Sequence, residues 1–176
     1  MLDFAKPIQF DFAEANINDI CRASADAAWA GDGAGATLDL EASLPQIVTD
    51  AERLRTALVN ILANARHAVQ ATNAGVEPDP NATPHRDAGV TVRTHSDGNG
   101  HVTVAIKDRG VGITPEDMAH IFDPYFTTRR AGTGLGLPIS KSIIEGMGGT
   151  LAVASQRGVG TEVRIELPLH PPEAHA

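Results

Sequence analysis

The chain has one cysteine, Cys21, in 176 residues. That excludes an internal disulfide and any CxxC metal site, and it fits a reducing, cytoplasmic setting. Apolar runs never exceed a few residues, so no membrane span or membrane contact is expected. A basic segment followed by an apolar one is missing after Met1, so no secretory leader is expected. Positive charge is scarce, with 14 Lys and Arg against 22 Asp and Glu and a net charge of −8. This argues against broad nucleic-acid binding, which needs a positive face for phosphates. A nucleotide ligand remains compatible, because a small local site can oppose the global charge. Aromatic residues make up 4%, and Trp29 and Tyr125 are too few for a base-stacking platform. The remainder, 42% hydrophobic and 20% charged, suits one folded domain with a real core. There is no internal repeat and no sign of a second domain.

The periodicities predict an ordered set of elements. Ile8, Phe10 and Phe12 alternate with polar residues and read as a short strand. Residues 13–29 have helical spacing, closed by the glycines from Gly31 to Gly35. Leu38 with Leu40, and Ile47 with Val48, suggest two further short strands. Asp50 is an N-cap candidate, and Leu54, Leu58, Ile61, Leu62, Ala65 and Val69 form the stripe of a helix at about 51–70. Residues 71–88, with Pro78, Pro80 and Pro84, read as a loop. Val90–Thr94 and Val102–Ile106 form a hairpin around Asp97-Gly98-Asn99-Gly100. Thr114-Pro115-Glu116 starts a helix, and a second runs from about Leu135 to Met147, closed by Gly148-Gly149. Strands at Leu151–Ser155 and Thr161–Leu167 follow, then a flexible tail at 169–176. Strands outnumber helices and are joined by hairpins. The expected fold class is therefore α+β, a two-layer α/β sandwich: one mixed, mostly antiparallel sheet with helices on one face.

Four segments carry candidate chemistry. Asn60, Asn64 and His67 share one helix face, apart from the apolar stripe. An Asn amide oxygen is a hard ligand suited to Mg²⁺, although two solvated polar residues would look the same in the sequence. In Asp108-Arg109-Gly110-Val111-Gly112, an acid ends an apolar strand and two glycines bend the chain. A buried carboxylate there could accept a hydrogen bond from a ligand amine, or the segment is an ordinary turn. Gly132-Thr133-Gly134-Leu135-Gly136-Leu137 runs into a helix N-terminus, where bare N–H groups suit phosphate. Arg129, Arg130 and Lys141 flank it. Gly158-Val159-Gly160-Thr161 by itself indicates only a tight turn.

Other motifs fail on context. Val104-Ala105-Ile106-Lys107 spells the lysine strand of eukaryotic protein kinases, but no glycine loop precedes it and no HRD or DFG follows. There is no GxxxxGK[ST], and the glycine cluster does not follow a strand in a βαβ unit. The histidines form neither HExxH nor a close metal pair.

In order and spacing, these segments resemble the catalytic ATP-binding domain of bacterial sensor histidine kinases, in the GHKL ATPase superfamily. Asn60 to Ala65 is similar to its N box and Asp108 to Ile113 to its G1 box. Ile121 to Arg129 is similar to its F box in the nitrogen-regulation-type form, Gly132 to Leu137 to its G2 box, and Gly158 to Thr161 to its closing glycine-threonine motif. The resemblance covers residues 7–168. It implies ATP and Mg²⁺ as ligands. Asp108 would take the adenine amine with Thr161 supporting through water, and Gly110, Gly112 and Ile113 would wall the base. Asn64 would hold Mg²⁺, with Asn60 one turn earlier. Arg129 would reach the terminal phosphate, and Gly132, Thr133, Gly134, Leu135, Gly136 and Leu137 would wrap the phosphates. Phe122, with Phe126, would belong to the lid. His67 stands where many relatives carry Lys or Arg, and at neutral pH an unperturbed imidazole is mostly uncharged.

The resemblance further implies a protein-histidine kinase acting on a histidine outside this chain, for relay to a response regulator. Residues 1–6 resemble the junction after the dimerisation and phosphoacceptor helices, so the chain is expected to be a monomeric fragment. Its localisation is expected to be cytoplasmic, whether or not the full-length kinase is membrane-anchored. Two alternatives carry the same nucleotide residues. One is an ATP-holding pseudokinase; the other is a GHKL ATPase, which would place a general-base Glu where this chain has Asn60.

Overall fold

A computed structural model describes residues 8–30, 35–73, 89–126 and 136–172. Its elements are β1 (Ala13–Ala15), α1 (Ile17–Ala28), β2 (Thr37–Asp39), β3 (Ile47–Thr49), α2 (Ala51–Asn73), β4 (Val90–Ser96), β5 (His101–Asp108), α3 (Pro115–Met118), α4 (Gly136–Gly146), β6 (Thr150–Gln156) and β7 (Gly160–Pro168). The main sheet has five strands in the order β2-β4-β5-β7-β6. Strand β2 runs parallel to β4 and the remaining pairs are antiparallel. The α+β class and the mixed, mostly antiparallel sheet are therefore as expected.

Strict alternation sets the two faces of the sheet. Val90, Val92 and Thr94 on β4, Val102, Val104 and Ile106 on β5, and Val163, Ile165 and Leu167 on β7 are all buried. The residues between them are half-buried or exposed, with Arg93, Lys107 and Arg164 exposed. Helix α2 lies on the buried face, between α1 and α4. Its stripe of Leu54, Leu58, Ile61, Leu62 and Ala65 is buried, each large side chain contributing about 1.5–3 kcal/mol. Cys21 belongs to the same core at 1% exposure.

The helix ends follow local chemistry. Asp50 caps α2, its Oδ1 accepting from Arg53 N at 3.0 Å, while its Oδ2 accepts from Asp11 N at 2.8 Å. Thr114 caps α3 by accepting from Asp117 N at 3.2 Å. Gly149 N donates to Ile144 O at 2.9 Å, closing the turn after α4 through Gly148, whose φ is +81°.

Four expectations need correction. The first strand is not at Ile8–Phe12 but at Ala13–Ala15, paired antiparallel with β3 in a separate two-stranded sheet. Ile8 and Phe10 alternate because they pack on the core, with Phe12 stacked on Phe10 at a centroid distance of 5.5 Å. Helix α1 consequently starts at Ile17, capped by Asn16. Helix α2 continues to Asn73, past the last apolar stripe residue, because its backbone ladder outlasts its buried face. The expected tail is fastened at its first residue: Leu169 N donates to Gly100 O at 3.0 Å, and Leu169 O accepts from Val48 N at 2.8 Å.

Candidate nucleotide-binding site

The buried phase of β5 runs Val102, Val104, Ile106 and then Asp108. Alternation alone thus delivers a carboxylate to the core-facing side where the strand ends. Asp108 is 6% exposed. Its Oδ1 accepts from Gly110 N at 2.8 Å and from Thr161 N at 3.3 Å. Burial pushes its pKa above the ordinary carboxylate value, and the two amide donors work against that rise. Both of these hydrogen bonds end on Oδ1, so Oδ2 remains for the cavity that Asp108 lines.

That cavity has a volume of about 500 Å³, within the usual range for a small-molecule site. Ile106, Ile113, Val153 and Val163 give it apolar walls around Asp108 and Thr161. Residues 111–113 form its rim, strapped down from three sides. Val111 N donates to Ala68 O of α2 at 3.2 Å, Val111 O accepts from Gly158 N at 2.7 Å, and Ile113 N donates to Ser155 Oγ at 2.8 Å. Gly112 has a φ of +72°, and a Cβ there would overlap the Gln156 carbonyl oxygen.

Helix α2 supplies the polar wall. Asn64 and His67 line the cavity, as the shared helix face predicts. Gly136, Leu137 and Pro138 border it as well, which brings the positive end of the α4 dipole to the same place. A Cβ built on Gly136 would lie 3.8 Å from Asn60 Cβ and 4.0 Å from Asn64 Nδ2. Buried Ser140 fastens α4 to α2, its hydroxyl lying 2.7 Å from Gly136 O and 3.3 Å from Ala57 O.

Of the sequence-derived residues, Asn64, His67, Asp108, Gly112, Ile113, Gly136, Leu137 and Thr161 are thus brought together. Asn60 does not line the cavity but sits beside it, against Gly136. Gly110 does not wall it either: a Cβ at Gly110 would come within 2.5 Å of Ala68 Cβ, so its smallness lets the rim press on α2. Phe122 turns away from the cavity wall to Lys141, whose Nζ lies 4.5 Å from the ring centroid; Phe126 does line the cavity. Arg129, Gly132, Thr133, Gly134 and Leu135 lie outside the described residues.

Sequence reasoning missed Ser155, Val153 and Arg157. Their position depends on the pairing of β6 with β7, which opposes Ser155 to Thr161 and Val153 to Val163. The alternating signal on β6 could have selected Val153. The sequence offered no signal for Ser155.

Among the described residues, Asp97, His101 and Glu166 form a group whose ligand atoms lie within 4.8 Å of one another. It is at the other end of β5 from Asp108 and takes no part in the cavity. No helix among the described residues is long and apolar enough to cross a membrane.

Comparison with known proteins agrees with this geometry. The chain is 32% identical over 173 residues to the sensor histidine kinase ZraS of Salmonella typhi, a match covering 96% of this chain and 34% of that protein. It is 31% identical over 171 residues to sporulation kinase E of Bacillus subtilis (strain 168), covering 96% of this chain and 21% of that one. The chain therefore spans about a third of these relatives, or less. The crystal structure of full-length ShkA in complex with AMPPNP superposes with a TM-score of 0.72 at 29% identity, over 97% of this chain and 34% of that one. The mycobacterial sensor histidine kinase MprB gives a TM-score of 0.69 at 25% identity, over 92% of this chain and 99% of that one. Residues 49–171, from the last residue of β3 to just beyond β7, match a family model, and the chain belongs to that family, the histidine kinase-, DNA gyrase B- and HSP90-like ATPases, as an ATP-binding domain of the sensor histidine kinase type.

Proposed function

We propose that this chain binds Mg·ATP in the cavity and, within a longer protein, passes the γ-phosphoryl group to a histidine on that protein's dimerisation and phosphoacceptor helices, for relay to an aspartate of a response regulator. The observation that carries the reading is Asp108: a nearly buried carboxylate in an apolar cavity, with one oxygen held by two backbone amides and the other left for a ligand donor. An adenine amine meets that requirement, and Ile113, Val153 and Val163 match the apolar faces of the base. Thr161, beside Asp108 in the β5–β7 register, supports the base through water.

Asn64 would offer a hard amide oxygen to Mg²⁺. The metal, when bound, neutralises phosphate charge. Asn60 sits one turn earlier; His67 would border the phosphates, and Arg129 is assigned to the terminal one from its place in the sequence motif. By sequence, the glycine-rich segment from Gly132 to Leu137 is assigned to the phosphate chain, a ligand that bare backbone N–H groups suit. In the transfer, an imidazole nitrogen of the acceptor forms a bond to the γ-phosphorus as the bond to the departing ADP oxygen breaks. The attacking nitrogen uses its lone pair, and the imidazolium so formed loses the proton on its other ring nitrogen to solvent. Asn60 carries an amide where water activation would need a carboxylate base, which favours transfer to histidine over hydrolysis.

Calorimetric titration with ATP, with and without Mg²⁺, tests the binding reading. Asn64→Ala is expected to weaken mainly the magnesium-dependent part, and equal loss in both titrations would remove Asn64 from the metal. Radiolabelled ATP added to the chain together with the phosphoacceptor helices of its own protein tests the transfer. Tight Mg·ATP binding without label on the histidine would instead identify an ATP-holding regulatory module.

A further inference from the structure

Behind the cavity wall, Ser155 joins the rim loop to β7 by three contacts. Its Oγ accepts from Ile113 N at 2.8 Å, lies 3.1 Å from Gly160 O, and lies 2.7 Å from Thr161 Oγ1. Ser155 does not itself line the cavity, whereas Ile113 and Thr161 both do.

A serine hydroxyl has one proton and two lone pairs. The Ile113 amide can only donate, so it occupies one lone pair. The Gly160 carbonyl can only accept, so it takes the proton. One lone pair remains for Thr161, which must then donate its own proton to Ser155. This is the arrangement in which all three contacts are satisfied together. Thr161 Oγ1 is left with lone pairs only, beside the Asp108 carboxylate, to which Thr161 N also donates. The base end of the cavity therefore presents acceptors without a hydroxyl donor.

We infer that Ser155 is a positioning residue that fixes the polarity of the Thr161 hydroxyl and so sets the preference for a 6-amino purine over a 6-oxo purine. A 6-oxo group would bring a carbonyl to a wall of acceptors, and buried groups left unpaired in this way are costly. Without the serine, the Thr161 hydroxyl is free to rotate and donate towards such a carbonyl through the intervening water. The inference rests on the reading that Asp108 receives the base.

The test compares binding of ATP and ITP, its 6-oxo analogue, to the wild-type chain, Ser155→Ala, Thr161→Val and the double variant. Ser155→Ala is expected to lower the ATP-to-ITP preference about fivefold, the size of one net hydrogen bond. In the Thr161→Val background the same change should leave the preference where it was. Ser155→Thr, which keeps a hydroxyl, should restore the wild-type ratio. Should Ser155→Ala not fold, Ser155→Cys, with a much weaker donor and acceptor, is expected to lower the ratio where Ser155→Thr does not. Equal losses for ATP and ITP would show that Ser155 only braces the loop and would overturn the inference, as would an unchanged ratio. Asp108→Ala separates the two layers of argument. If ATP affinity does not depend on Asp108, the base site is wrongly placed. If it does, and Ser155 leaves the ratio untouched, only the role of Ser155 fails.

Discussion

Asp97, in the turn before β5, and Asp108, at its end, use the same hydrogen bonds with opposite results. Each accepts two backbone amides on Oδ1, from Asn99 at 2.7 Å and His101 at 3.0 Å in one case, and from Gly110 at 2.8 Å and Thr161 at 3.3 Å in the other. At the exposed end the amide of Asn99 dominates, and the Asp97 carboxyl is held below its ordinary pKa. At the buried end the loss of water dominates, and the Asp108 carboxyl is pushed above it. Amide donors alone do not make a ligand site; withdrawing water from an already half-satisfied carboxylate does. The same contrast holds for two glycines. Gly98 and Gly112 both have a φ of +72°, yet nothing lies within 4 Å of a Cβ on Gly98, while one on Gly112 would run into the Gln156 backbone.

The glycine pair gives the largest expected difference. Gly98→Ala should cost about 1–2 kcal/mol, the penalty of a left-handed alanine. Gly112→Ala adds backbone overlap and should cost about 2–5 kcal/mol, with loss of ATP binding as the rim is displaced. Urea unfolding of both variants checks this, and equal costs would mean that the rim moves freely. Next in size, Asp108→Ala should weaken ATP binding ten- to a hundredfold, corresponding to about 1.5–3 kcal/mol for a hydrogen bond to a charged group. Asp97→Ala should leave affinity unchanged. Calorimetry on the two side by side decides whether the buried end alone binds.

The smallest effect sharpens the electrostatic side. A raised folded-state pKa means that the stability Asp108 contributes is complete below the ordinary carboxylate value and is lost as pH rises through its folded value. A lowered one means that the contribution of Asp97 is complete above the ordinary value and is lost as pH falls through its folded value. The stability difference between wild type and Asp108→Asn should therefore decline with rising pH in the acid range. That between wild type and Asp97→Asn should decline with falling pH. Thermal melts across that range measure both slopes, and slopes of the same sign would contradict the comparison.

Much of the site was legible because it follows short-range rules. Period-two alternation on β5 marks Asp108 as core-facing, and helical spacing puts Asn64 and His67 on one face of α2. What stayed hidden depends on pairing between distant segments. Ser155 gains its role only because β6 registers with β7, and Gly110 proved to be a packing contact with Ala68 rather than a wall of the cavity. Strand β1, with the sequence Ala-Glu-Ala, has no hydrophobic signature; it exists through main-chain bonds to β3. The end of α2 was placed early because the apolar stripe marks where a helix is buried, not where its ladder stops.

Cys21 sits in the α1 side of the core at 1% exposure, its thiol pushed by burial up to about 12. Thiol chemistry depends on the thiolate and on access to it, and this residue offers neither. The native chain is consequently a blank background for labelling. One cysteine introduced at an exposed position such as Val159, on the β6–β7 turn that grips the rim, would carry a single fluorophore. That position would report on the rim as nucleotide arrives, without Cys21 having to be removed.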